Sequence, residues 1–398
     1  MTIESSRRDI GIAPTAPAFW NNPSIRALFY QLVLVGGVIA VGAYLVHNTL
    51  ENLARQGIAT GFGFLHREAA FEIGESLIEY SPADTYGRAL LVGLLNTLCV
   101  AGIGVVLATI LGTIMGIARL STNWLIHKLA AFYVETVRNV PLLLQLIVWW
   151  DILRVSAPGP REAWQVLPDV FVSNRGVVFP LPVYHPLYAW IGLALVIAIA
   201  ASIYVKRWAH ARQMATGEQF PVLRTSAALI IGLPLLVFVI GGMPFTLDKP
   251  ELRGFNFSGG HVVSPEFVAL LVGLVVYTGA FIAEIVRAGI LAVSWGQSEA
   301  ASALGLRRGL ALRLVVLPQA LRVIVPPMTS QYLNLTKNSS LAVAIGFPDV
   351  TSIGNTTMNQ TGQAIEGIAA IMVVYLTISL LISMFMNWYN RFVRLVER

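Results

Sequence analysis

The sequence predicts an all-α polytopic membrane protein with about eight transmembrane helices. Of its 398 residues 56% are hydrophobic and only 12% charged, with a mean hydropathy of +0.69. A soluble domain carries about 25% charged residues. The apolar residues also gather into runs long enough to cross a hydrocarbon layer, which takes roughly 20 helical residues.

Those runs lie near 27–47, 89–118, 132–155, 187–205, 225–242, 266–291, 319–343 and 366–388. Arg7 and Arg8 precede the first run, but no small-residue cleavage pattern follows it, so a retained helix is expected rather than an export signal. The segment from Glu51 to Asp84 mixes six acids with apolar residues such as Leu65, Ala69 and Phe71, and is expected to lie amphipathically at the membrane surface. Gly112 and Gly116 in the second run predict a close helix contact. In the third run Glu135 and Arg138, three residues apart, read as a neutralising pair that fixes helix packing in preference to a solute path. Glu284 in the sixth run has only Arg287 near it, which leaves a path role and a packing role equally open. Pro326 and Pro327 are expected to interrupt the seventh run, and Asn334, Lys337, Asn338 and Ser339 follow. Polar residues on broken helices are tolerated at membrane depth only beside protein or trapped water. Glu284, Asn334, Lys337, Asn338 and Ser339 are therefore the candidate solute path.

Orientation follows from lysine and arginine, which are retained on the cytoplasmic side. With the N-terminus inside, sixteen of the 27 basic residues fall in inner segments and eight in outer ones, while Arg138, Arg322 and Lys337 lie in or beside spans. Both termini are expected to be cytoplasmic.

Several functions are disfavoured. The net charge of +6 comes from basic residues scattered between apolar runs, not from a contiguous face suited to nucleic acid. The single cysteine, Cys99, cannot form an internal disulfide. The six histidines are widely separated, and no HExxH, GxSxG, paired-carboxylate or GxxxxGK[ST] pattern occurs. No catalytic residue, metal site or cofactor is assigned to this chain.

The segment after the sixth run reads Ser294-Trp295-Gly296-Gln297-Ser298-Glu299-Ala300-Ala301-Ser302-Ala303-Leu304-Gly305, with Val315 and Leu317-Pro318 further on. A short surface helix bearing Ala300 and Ala301 offers a low face that a partner can approach closely, and Gly305 permits a left-handed exit. An ordinary loop joining two spans is the plainer alternative. A second match to the first seven positions, Glu68-Ala69-Ala70 to Gly74, lacks Leu-Pro at the required spacing and falls on the outer side.

The full pattern, EAA, three residues, Gly, nine residues, an apolar residue, one residue and LP, resembles the cytoplasmic coupling loop of ABC-importer permeases. The stretches Tyr277 to Ile290, Leu317 to Arg322, Lys337 to Leu341 and Glu135 to Gln145 are similar to the polar amino-acid permeases of the histidine, glutamine, arginine and opine group. Asn139-Val140 and Asn338-Ser339 replace the Gly-Thr and Thr-Ser of many members. The similarity is greatest to the Q-type subunits of general L-amino-acid or glutamate/glutamine/aspartate/asparagine importers.

This resemblance implies a type I ABC-importer permease core of five spans, mapping onto the second, third, sixth, seventh and eighth runs. The division expected is 1–88 for the tail, first helix and outer segment, 89–156 for the first part of the core, 157–265 for an insert with two extra spans, and 266–398 for the rest of the core with its coupling loop. Glu299, Ala300, Ala301, Gly305, Leu317 and Pro318 would contact the ATPase. The implied function is translocation of polar L-amino acids into the cytoplasm across the bacterial inner membrane, with no enzymatic activity in this chain. The implied partners are a second related permease in a heterodimer, two copies of a cytoplasmic ATPase that bind ATP and Mg²⁺, an extracytoplasmic amino-acid-binding protein and membrane lipid, without nucleic acid. A secondary transporter or channel using Glu135 and Glu284 as ion sites is the rival reading.

Overall fold

The computed structural model describes residues 23–55, 57 and 60–393; the paired arginines of the N-terminal tail lie outside them. Among the described residues there are twelve α-helices: α1 (Pro23–Arg55), α2 (Tyr86–Ala118), α3 (Trp124–Asn139), α4 (Leu142–Asp151), α5 (Leu187–Thr216), α6 (Val222–Ile240), α7 (Pro265–Leu291), α8 (Trp295–Ala303), α9 (Arg308–Ala311), α10 (Leu317–Asn338), α11 (Val350–Thr361) and α12 (Ala364–Val393). Seven helical segments among the described residues are long and apolar enough to cross a membrane, and an eighth span arises if the bent pair α3 and α4 is one crossing.

That pair corrects the straight third span. The two helices meet at 105°. Pro141 has no N–H, so the carbonyls before it lose their helical partners. The Gln145 side-chain amide replaces them, donating to the carbonyls of Val137 and Val140 at 2.9 Å each. The seventh span is corrected in the opposite sense. Pro326 and Pro327 lie inside α10, which continues through them to Asn338. Ile324, Val325 and Met328 are buried around the prolines, so packing offsets the lost hydrogen bonds. The irregularities sit instead at a π-helical turn, Leu312–Val316, and a 3₁₀ segment, Ser339–Ile345.

The core gathers α2, α4, α7 and α10. Val100, Leu146, Leu270, Leu274, Ile282, Leu335 and Phe347 are its largest fully buried side chains. Gly112 and Gly116 let α2 lie directly on α7: a Cβ on Gly112 would stand 2.5 Å from Ile282 Cγ2, and one on Gly116 2.6 Å from the carbonyl oxygen of Ala283.

The segment between α1 and α2, expected from its composition to be amphipathic and surface-lying, packs one side on the bundle. It folds over the end of the bundle, burying Phe64 and Ala69 against Tyr86, Ala89, Val92 and Ile353. The Asn96 amide ties it down, donating to the carbonyls of Glu75 at 2.8 Å and Pro348 at 3.0 Å.

The region 157–265 adds strands to the helices expected there. A four-stranded antiparallel sheet has the order β1 (Trp164–Leu167), β2 (Val170–Ser173), β3 (Gly176–Phe179) and β8 (His261–Val263). Two smaller pairs join β4 (Leu181–Pro182) to β5 (Leu247–Asp248) and β6 (Glu251–Arg253) to β7 (Asn256–Ser258). Pairing of Val177 with Val263 brings the two ends of the region together. The α5–α6 hairpin therefore projects from a closed base, and the core resumes at Ser264, whose hydroxyl caps α7 by accepting from Phe267 N at 3.0 Å.

Candidate functional site

The proposed coupling residues lie on a helical elbow that leaves the bundle. Ser294 precedes α8, and the chain exits through Gly305 at φ +75°. No atom crowds a Cβ built at Gly305, so its requirement for glycine comes from the backbone angle alone. The two alanines have different surroundings. Ala301 is buried against its own chain, whereas Ala300 is exposed, so the single low face expected of both residues belongs to Ala300. Glu299 accepts from the Trp295 indole at 2.8 Å, holding that ring across the helix surface. Trp295 and Leu304 are 77% and 82% exposed and bracket the elbow with large apolar groups, two candidate contacts that an alanine-and-glycine pattern conceals. Leu317 and Pro318 open α10 just after the π-helical turn. The widened turn accommodates a proline that can neither donate a hydrogen bond nor tolerate a close carbonyl behind it.

The second match to the short pattern has a different structure. Around Glu68, Ala69 and Ala70 the chain is not helical, with Glu68 bridged to Thr85, Ala69 fully buried and Ala70 in the left-handed region at φ +56°. Seven shared letters therefore accompany unrelated backbone geometry.

The candidate path residues divide. Asn334 and Asn338 line a cavity of about 250 Å³ with Gln331 on α10 and Tyr277, Thr278 and Phe281 on α7. Gln331, Asn334 and Asn338 follow helical spacing and present amides to one space. Arg138 stands 5.0 Å from the Phe281 ring centroid, a cation beside the same cavity. Lys337 is exposed but does not line it, and Ser339 is buried with its hydroxyl donating to the Thr336 carbonyl at 2.7 Å.

Glu284 is also absent from the cavity lining. Its carboxylate is held by Arg119 from the end of α2 and by Arg287 at 2.6 Å. Glu135 faces this group, 3.9 Å from Arg119, and is not ion-paired with Arg138, which turns to Phe281. The expected Glu135–Arg138 pair is thus replaced by a network between helices, because the close α2–α7 contact brings Arg119 into reach. Arg119 stands outside the apolar runs, so sequence periodicity gives no sign of its role.

At the opposite end, Glu72, Glu75 and Glu266 border a cavity of about 390 Å³ between the segment preceding α2, α7 and α11. Ser264 donates to the Glu75 carboxylate. Burial pushes the Glu75 carboxyl above its ordinary range and nearby Glu266 adds to the rise, while the Ser264 hydrogen bond opposes it.

Comparison with known proteins supplies the family. Residues 220–395 match the family described as binding-protein-dependent transport system inner membrane component. The general L-amino acid transport system permease protein AapQ of Rhizobium johnstonii is 53% identical, over 95% of this chain and 94% of its own. The putative amino-acid ABC transporter permease protein YhdX of Escherichia coli is 50% identical, over 95% and 96%. The glutamate/glutamine/aspartate/asparagine transport system permease protein BztB of Rhodobacter capsulatus is 43% identical, over 94% and 95%. With relatives matched across nearly their whole length, and with spanning helices around a shared core, the chain belongs to the family of inner membrane components of binding-protein-dependent transport systems and is an ABC-transporter permease subunit.

Proposed function

We propose that this permease carries polar L-amino acids into the cytoplasm as one half of a heterodimeric pore, with a second related permease as the other half. Two copies of a cytoplasmic ATPase bind ATP and Mg²⁺ and dock on the α8 elbow through Glu299, Ala300, Gly305, Trp295 and Leu304. Ala301, Leu317 and Pro318 fix the elbow to the bundle. An extracytoplasmic binding protein delivers the amino acid to the opposite face. The observation that carries this reading is the elbow itself, a short helix outside the bundle with exposed apolar groups and a left-handed glycine exit.

Movement of α8 reaches the pore along both flanking helices. It joins α7 through a short connection and α10 through α9 and the π-helical turn, and those two helices frame the amide-lined cavity. The amides of Gln331, Asn334 and Asn338 can exchange hydrogen bonds with both charged ends of an amino acid, and Arg138 offers a cation to its carboxylate. No covalent step is required of this chain.

The assignment of sides is tested by thiol labelling in a Cys99→Ser background. Cysteines at Ser302 and Gln213 are expected to be shielded from an impermeant reagent added outside intact cells with the outer barrier opened, and a cysteine at Asn256 to react. Labelling at Ser302 with none at Asn256 would place the elbow on the wrong side for an ATPase.

A further inference from the structure

The α5–α6 hairpin has no role in the transport reading, and its far end carries an unusual charge arrangement. Both helices are long and apolar enough to span the membrane. No residue of α6 is buried, and the buried residues of α5 are Ala194, Ala198, Ser202 and Ala209, a seam of small side chains suited to a close neighbouring helix. Among the described residues the hairpin is thus joined at its sheet end, and its two helices pack mainly on each other.

At the sheet end Leu187 meets Gly241, where a Cβ would stand 2.1 Å from Leu187 Cδ2. With a rise of about 1.5 Å per residue, α6 therefore begins alongside the part of α5 near Lys206. Side-chain contacts agree with that alignment: Phe220 packs on Trp208 at 5.3 Å, and Glu218 bonds Arg212 at 2.7 Å, as the connection returns along the last turns of α5. Lys206 and Arg207 on α5 and Arg224 on α6 consequently stand near one level, where the apolar helices leave the hydrocarbon. Exposed Tyr204 and Trp208 flank them, as aromatic residues do at a headgroup layer.

All three cations are exposed, and none appears in an ion pair among the described residues. Glu218, the only acid between 187 and 247, is already taken by Arg212. We infer that Lys206, Arg207 and Arg224 form a binding surface for anionic phospholipid headgroups that anchors the free end of the hairpin. Charge complementarity selects the partner: three uncompensated cations at headgroup depth attract a lipid phosphate, and each contributes roughly a fivefold preference for an anionic surface. A basic bias that only orients the chain during insertion would require no lipid to remain bound.

The test uses the full chain in its complex, extracted from membranes and equilibrated with equal amounts of phosphatidylglycerol and phosphatidylcholine. Retained lipids are counted by native mass spectrometry. The unmodified complex is expected to retain phosphatidylglycerol preferentially, and the combined Lys206→Gln, Arg207→Gln and Arg224→Gln variant to lose that preference by more than about tenfold. A charge-keeping variant, Lys206→Arg, Arg207→Lys and Arg224→Lys, should retain it, as should one neutralised at Arg175, Lys249 and Arg253 on the sheet side. The proposal is overturned if the first variant keeps its phosphatidylglycerol, if the sheet-side variant loses as much, or if the first variant keeps its lipid but releases a protein subunit. That last result would make the patch a protein interface.

Discussion

Gly305→Val is expected to leave the chain inserted but weaken its association with the ATPase by roughly 5- to 30-fold. A β-branched residue at φ +75° carries a backbone penalty of about 1–2 kcal/mol, and the open space around Gly305 excludes a steric contribution. The chain relieves that penalty by redirecting the exit from α8, which moves Trp295 and Leu304 relative to each other. Ala300→Glu should have a similar effect by a different route, since it enlarges an exposed contact face without disturbing the bundle. Ala301→Glu is a different experiment: it places a charge in a buried position and should lower the amount of folded chain. Gly74→Val is the control, because Gly74 has an ordinary φ and no crowding neighbour. Copurification of the ATPase and stimulation of its hydrolysis by loaded binding protein are the readouts. Normal values in Gly305→Val and Ala300→Glu would remove the elbow from the docking surface.

Glu284→Gln is expected to reduce stable, assembled permease and not to change which amino acids are carried. The substitution leaves Arg119, 13% exposed in its side chain, and Arg287 facing a neutral amide where a carboxylate balanced both. Leaving one side of a partly buried ion pair without its partner costs on the order of 1–3 kcal/mol, a sizeable part of the stability of an ordinary domain. Arg119→Gln should destabilise less when combined with Glu284→Gln than the sum of the two single changes, because the double substitution removes both signs together. Thermal inactivation of the purified complex measures the cycle. Full stability with altered amino-acid selectivity in Glu284→Gln would return this residue to the solute path.

The sequence made the spans legible because lipid demands continuous apolar length, and that signal survives without tertiary information. It is silent on direction within a span. The third run has too few charges around Val140-Pro141 to divide it, so average hydropathy joins two helices that the missing proline N–H separates by 105°. The seventh run carries two prolines that read as a break, yet buried neighbours keep the helix continuous. The strands were obscured because each has at most four residues, although Ser173-Asn174-Arg175-Gly176 between two valine-rich stretches is a turn signal of the kind that joins hairpins.

The candidate site was legible in proportion to how local its signals are. Glu299, Ala300 and Gly305 lie within one motif, and their exposure on an elbow suits a contact role. Asn334 and Asn338 share a helix face and line one cavity, whereas Lys337 and Ser339, drawn in by proximity in sequence, point elsewhere. Glu284 was ambiguous because its second partner, Arg119, is 165 residues away and reaches it only through the glycine contact of α2 with α7. Trp295 and Leu304 escaped notice because an exposed apolar residue is unremarkable until the backbone around it is known.

The central claim, that ATP hydrolysis on a partner drives uptake through this chain, is tested most directly in proteoliposomes containing the complete complex. ATP is trapped on the side of the α8 elbow, and loaded binding protein is supplied on the other. Uptake of labelled amino acid should require that ATP and persist when an ionophore collapses proton and sodium gradients. Uptake that proceeds without ATP and stops when those gradients collapse would contradict the claim and favour an ion-coupled carrier.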